Sequence, residues 1–274
     1  MLRRALALAL CLAPAALADQ DRPPATGGAQ PPTEEPIEVP IEVPSPIPVG
    51  FLIAWKPTFL TVRVDSGAGA RFGSDKLQSF RGLFRYTTTA FGDRLLARAE
   101  VEGGQFQSDT QGTSLGSNGA DLTVRLLGGV AQRITPGFTA TASAGLLTRY
   151  QWGTQAQGGA PRIGVFGVSS NIELEYRIAP LLTLSGYLEG GLAPLAYASQ
   201  PNLGVLSDAS EFRARLQISL DVGTNTAVDL GYDFTRWHAS FDGSNVLNPA
   251  APPDQALLVE QREHALIFGI RWKP

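Results

Sequence analysis

Apolar and polar residues alternate strictly along this chain from about residue 57 onward. Leu60, Val62 and Val64 alternate with Thr61, Arg63 and Asp65. Phe138, Ala140, Ala142, Ala144 and Leu146 alternate with Thr139, Thr141, Ser143 and Gly145. The same pattern recurs at Leu182, Leu184, Gly186 and Leu188, and at Phe212, Ala214, Leu216, Ile218 and Leu220. A period of two places successive side chains on opposite faces of an extended strand. Ten such segments are predicted, near 58–67, 79–90, 94–106, 120–132, 137–152, 163–178, 181–193, 211–222, 226–239 and 261–272. Each can cross a bilayer as a tilted strand, which takes about 9–11 residues.

The connections alternate short and long. Phe91-Gly92-Asp93, Arg133 to Pro136, Ala179-Pro180 and Gly223-Thr224-Asn225 are short, whereas 68–78, 107–119, 153–162, 194–210 and 240–260 are long and polar. Sorting of loops to two ends is expected of a membrane barrel, with short periplasmic turns and longer extracellular loops.

The second face of the strands carries Arg63, Asp65, Arg81, Arg85, Arg98, Glu100, Glu102, Arg125, Arg149, Glu173, Glu175, Glu189, Arg213, Arg215, Asp221, Asp229, Asp233, Glu263 and Arg271. A balanced set of arginines and acids on one face suits a lumen cross-linked by charge pairs. Arg81 and Arg85 are expected to face Glu100 and Glu102. Arg213 and Arg215 are expected between Glu189 and Asp233. Arg63 and Asp65 are expected to meet Glu263 and Arg271 where the barrel closes. Aromatics cluster near strand ends on the apolar face, including Phe80, Phe84, Tyr86, Tyr150, Trp152, Tyr176, Tyr232, Phe268 and Trp272. Membrane barrels carry interfacial girdles of this kind.

These features resemble the small outer-membrane β-barrel proteins of diderm bacteria, over about residues 57–274. The last strand, His264, Leu266, Phe268, Ile270 and Trp272, looks like the C-terminal assembly signal of that class, although Lys273 and Pro274 follow the aromatic. The resemblance implies an all-β, transmembrane, antiparallel up-and-down barrel in the outer membrane. Its implied partners are membrane lipid, lipopolysaccharide and the barrel assembly machinery.

Composition supports that class and adds an N-terminal region. Of 274 residues, 30 are Gly and 20 Pro, and 17% are charged. That combination disfavours a helical soluble enzyme or a charged disordered chain. Residues 1–18 read as a secretory signal peptide: Arg3 and Arg4, an apolar run from Ala5 to Leu12 that includes Cys11, and Ala16-Leu17-Ala18 before the cleavage point. Residues 19–56 read as a Pro-rich periplasmic linker, disordered or polyproline-like, with the tandem Ile37-Glu38-Val39-Pro40 and Ile41-Glu42-Val43-Pro44. The part over 19–48 could reach peptidoglycan or a periplasmic partner. Val49 to Trp55 could be an additional strand or an apolar segment at the inner interface or in the lumen. The formal charge of −3 argues against nucleic acid as a partner.

Candidate chemistry is sparse. There is no glycine-rich phosphate loop before a helix and no HExxH. With only His238 and His264, no multi-His metal site can be built, and no cofactor or metal is expected. His238 and Ser240 share the outward face of the ninth predicted strand, and Glu260 has the same parity on the tenth. The segment Arg236-Trp237-His238-Ala239-Ser240 is similar to the His-x-Ser motif of the lipid A 3-O-deacylase family. That resemblance implies His238 as base, Ser240 as nucleophile and Glu260 as orienting acid. The family has Asn after its Ser, where this chain has Phe241. An omptin-like protease site would use acids beside His238, and Asp242 is the nearest in sequence.

The expected function is a non-enzymatic outer-membrane barrel, either a narrow or closed channel for small solutes or a structural barrel with a charge-paired lumen. A second reading is a surface-binding, adhesin-like barrel using the loops 194–210 and 240–260, with Pro201, Asn202, Pro249, Pro252 and Pro253. A third is the lipid A-modifying acyl hydrolase.

Overall fold

A computed structural model describes residues 49–65, 71–78, 80–91, 94–109, 116–153, 162–199, 204–242 and 257–273. The predicted signal peptide and nearly all of the Pro-rich segment lie outside these residues, as do Pro201, Asn202, Pro249, Pro252 and Pro253. Every described element is a strand. They are β1 (Gly50–Trp55), β2 (Thr58–Asp65), β3 (Arg71–Gln78), β4 (Arg81–Ala90), β5 (Leu95–Asp109), β6 (Gly116–Thr135), β7 (Phe138–Gly153), β8 (Ile163–Ala179), β9 (Leu182–Ser199), β10 (Val205–Asp221), β11 (Thr226–Asp242) and β12 (Leu257–Trp272).

Strands β4 to β12 form antiparallel neighbours in chain order, and β1 joins β4 to β12. The ring therefore closes with ten strands, β1 and β4–β12. Closure leaves the ten-strand ring no open edge, so its backbone groups can be paired without water, whereas β3 is paired on one side only. Short links join β4 to β5, β6 to β7, β8 to β9 and β10 to β11, all at one end of the barrel.

The first predicted strand starts earlier than its alternation suggests. Residues 50–55, assigned to the linker by composition, form β1 inside the wall. For β12 the pair β1 and β2 is one strand. Its register holds from Phe51↔Trp272 to Asp65↔Leu258 on either side of Lys56-Pro57. Proline has no N–H to give to a ladder. Here the Pro57 carbonyl accepts from the Leu266 N–H, and the Lys56 N–H donates to the Arg81 carbonyl. The long connection predicted over 68–78 contains β3, which pairs with β2. The loop predicted over 194–210 is mostly strand, because β9 runs to Ser199 and β10 begins at Val205.

The polarity of the wall is inverted relative to a soluble barrel. Ile53, Leu126, Val130, Ile172, Leu188, Leu216, Leu230 and Ile270 are exposed on the outside. Charged side chains fill the inside. Two glycines permit close strand approach. A Cβ at Gly145 would lie 1.9 Å from the Leu126 carbonyl oxygen, and one at Gly167 would lie 1.9 Å from that of Leu192.

Gly145→Val is therefore expected to destabilise the barrel by about 1–3 kcal/mol through overpacking, whereas Ala144→Val on the exposed outer face changes little. The temperature at which refolded barrel loses its folded electrophoretic mobility measures this. Equal stability of the two variants would refute the close approach.

Candidate functional site

The lumen holds a continuous network of ion pairs. It is built because inward positions of neighbouring strands alternate in charge and the register places them side by side. Arg85 sits opposite Glu100, and its Nε donates to Glu100 Oε2 at 3.0 Å. Arg215 sits opposite Asp233 and donates to it at 3.1 Å. Arg271 pairs with Asp229 at 3.0 Å.

Other pairs span the interior. Arg213 on β10 has a fully buried side chain. Its Nε donates to Asp233 at 3.0 Å, one terminal nitrogen reaches Glu102 at 2.6 Å, and the other pairs with Glu100. Arg125 on β6 meets Glu189 at 3.0 Å and Glu100 at 3.3 Å, and also pairs with Glu211. Arg149 on β7 reaches Glu263 at 2.9 Å and Glu211 at 3.2 Å. Arg81 bonds Asp121 at 2.8 Å and Glu263 at 3.2 Å. Arg98 pairs with Glu173, and Glu175 is buried nearby in sequence and face. Lys56 pairs with Glu102 and lies 3.0 Å from Asp233. The Tyr187 hydroxyl donates to Glu189 at 2.7 Å, and the Arg215 guanidinium lies 5.5 Å from the Tyr187 ring centre.

The arrangement differs from the expected pairings at several points. Arg81 is opposite Gly104 and leaves Glu100 to Arg85, turning instead to Asp121 and Glu263. Arg213 is opposite Glu189 in register but bonds Asp233 and the β5 acids. Asp221 is half-buried and pairs with Lys273 at 2.5 Å. Arg63 is not in the lumen. It is exposed on the outer wall, opposite Glu260, while Leu60 and Val62 point inward and are fully buried. Asp65 stands opposite Leu258 in register, and its side chain lies outside the described residues. Residues not singled out from sequence also belong to the network: Lys56, Asp121, Glu211 and Gln261. Asp121 and Glu211 lie within the predicted strands 120–132 and 211–222 and share the parity of Arg125 and Arg213, so the same parity places them inward.

The reversal at Arg63 has a physical cause. Toward the long-loop end the inside of the barrel is apolar. Leu60, Val62, Ile163, Val165, Trp237, Ala239, Phe241, Leu257 and Val259 pack into one buried cluster there. Strand β11 shows the switch. From Asp229 to Thr235 its inward residues are polar or glycine, and from Trp237 to Phe241 they are apolar. Outward it runs Val228, Leu230, Tyr232, Phe234, then Arg236, His238, Ser240 and Asp242. A strand that leaves hydrocarbon for water must reverse which face is apolar.

The outward candidate residues lie above this switch. His238 and Ser240 are partly exposed on the outer wall, and His238 is opposite Glu260 in register. Glu260 is engaged elsewhere: its Oε1 accepts from Arg262 at 3.0 Å and lies 2.8 Å from the Arg236 Nε. The acid nearest His238 is Asp208, with Nδ1 to Oδ2 at 4.0 Å, beyond hydrogen-bond reach. Asp242 is exposed at the end of β11. His264 lies lower, its Nδ1 2.6 Å from the Tyr232 hydroxyl. Among the described residues no cluster of three His, Cys, Asp or Glu side chains is placed to hold a metal.

A closed antiparallel ring with an apolar outside and a charged inside is an outer-membrane-type β-barrel. No protein-family model matches the sequence, and no curated protein matches it. Among solved structures, the outer membrane protease OmpT from Escherichia coli is similar over 81% of this chain and 96% of that chain, at 10% identity and a TM-score of 0.45. The translocator domain of autotransporter NalP from Neisseria meningitidis covers 80% of this chain and 88% of its own, at 10% identity and 0.41. The toluene transporter TodX from P. putida covers 82% and 91%, at 9% identity and 0.35. Likeness at this level does not bear on the chemistry of this chain.

Two outcomes are expected. Arg213→Leu leaves Glu100, Glu102 and Asp233 without their shared cation, and costs about 3–5 kcal/mol in denaturant unfolding. A cost below about 1 kcal/mol would mean the network is solvated. Ser240→Ala leaves the lipid A acyl pattern of expressing cells the same as with wild type, because Glu260 is held by two arginines. A pattern that changes with Ser240, read by mass spectrometry, would restore the hydrolase reading.

Proposed function

We propose that this protein is a non-enzymatic outer-membrane barrel with a closed lumen, a structural barrel rather than an open pore. One observation carries the reading: ion pairs join opposite walls. In a ring of ten, β5 lies five positions from β10, and β7 lies five from β12. Arg213 on β10 meets Glu100 and Glu102 on β5, and Arg149 on β7 meets Glu263 on β12. Salt bridges across the full diameter occupy the path a solute would take. A ten-stranded barrel is little wider than an eight-stranded one, whose side chains fill the interior. The apolar cluster packs beside the charges toward the long-loop end.

In this reading the segment over 19–48 serves as a periplasmic tether to peptidoglycan or a partner protein. The last strand, ending at Trp272, addresses the barrel assembly machinery. The outer wall meets lipid and lipopolysaccharide.

Single-channel recording of the refolded protein in a planar bilayer tests closure. Silence is expected from the protein with and without residues 19–48. The triple variant Arg149→Ala, Arg213→Ala and Arg215→Ala, which also removes the Arg215–Glu100 pair at 3.6 Å and with it the diametral contacts, is expected to give conductance steps. Stable steps from the wild-type protein would overturn the closed reading, and steps confined to the form lacking 19–48 would make that segment a plug.

A further inference from the structure

The outer wall carries a positive patch at the height where it changes from apolar to charged. Arg236 on β11 and Arg262 on β12 stand directly opposite each other, and Arg63 on β2 stands opposite Glu260 one row above. Like charges facing each other across a strand pair are destabilising. Glu260 relieves this in part by accepting from Arg262 and pairing with Arg236 through the same oxygen. Two arginines sharing one glutamate still leave a positive surplus. The Arg236 and Arg262 side chains remain 53% and 52% exposed, so their guanidinium groups face outward.

The row immediately below is apolar or aromatic. Phe59, His264 and Phe234 lie side by side there, with Leu266 one step lower on β12. A molecule that satisfies both rows has an anionic head and a hydrocarbon body. Guanidinium groups offer several N–H donors in a planar fork that matches phosphate. We propose that Arg63, Arg236 and Arg262 bind the phosphorylated headgroup of an outer-leaflet lipid, with the acyl chains lying against Phe59, Phe234 and Leu266. The site is independent of whether the lumen conducts.

Binding of lipid A, of its dephosphorylated form and of inorganic phosphate to the full protein in zwitterionic detergent, read by native mass spectrometry, tests this. Lipid A is expected to bind about tenfold or more tighter than the dephosphorylated lipid and than inorganic phosphate. The double variant Arg236→Gln and Arg262→Gln is expected to lose about tenfold for lipid A and nothing for the dephosphorylated form. Arg94→Gln, exposed at the opposite end of the barrel, serves as control and should bind as wild type. Glu260→Gln removes the competing anion and should tighten lipid A binding. Equal affinity for the two lipids, or an unchanged double variant with folded mobility, would overturn the site. Equal affinity for inorganic phosphate would make it a free-ion site and overturn the lipid assignment. If the double variant does not fold, Glu260→Gln decides, and binding that fails to tighten would overturn the proposal.

Discussion

A cation with no exposed surface can stay ionised only if anions surround it, and this barrel is organised around that requirement. Removing a charged group from water costs several kcal/mol, and good geometry with several partners is needed to offset it. Arg213 receives three carboxylates, from β5 and β11. Arg125 receives carboxylates from β5, β9 and β10. These contacts tie distant strands to one another and constrain register, because a slip of one residue would turn each charge toward lipid. Lys56 meets the same demand at the closing strand, where it links Glu102 of β5 to Asp233 of β11.

The reversal of polarity along the strands gives the molecule two interiors. In the membrane-spanning part the inside is ionic and the outside apolar. Toward the long loops the inside is an apolar core and the outside carries arginines, acids and hydroxyls. The second arrangement is that of a water-soluble barrel. The transition falls between Phe234 and Trp237 on β11, and between Val259 and Gln261 on the inward face of β12. Groups that stabilise one part would therefore destabilise the other.

Much of this was legible in the sequence. Alternation marked ten strands, and the loop lengths sorted the two ends of the barrel. Parity separated charge from hydrocarbon wherever a strand lay within the membrane. It misled at Arg63, because the rule that charges point inward fails once the strand has left the bilayer. For Gly50 to Trp55 the sequence leaves a strand and a linker both open, since the segment follows a proline-rich stretch and Pro57 interrupts the pattern. Long-range partners such as Arg149 and Glu263 were not legible, because they depend on curvature across the lumen, which no local spacing encodes. Parity and a short His-x-Ser resemblance single out the outward trio of His238, Ser240 and Glu260. Its geometry turned on the arginines flanking Glu260, which parity places on that face without saying whom they bind.

The pairing of β12 with β1 and β2 is the one junction of the ring made by the two ends of the barrel sequence, with no hairpin to bring them together. Joining segments some two hundred residues apart carries a large loop-closure entropy and slows ordering. Before that junction forms, an incomplete sheet has two bare edges, and Glu102 and Asp233 lack the Lys56 ammonium that joins them. Closure then delivers ladder hydrogen bonds and buried charge neutralisation in one event. The seam is thus expected to form late in assembly, and half-built sheets with bare edges are its aggregation hazard.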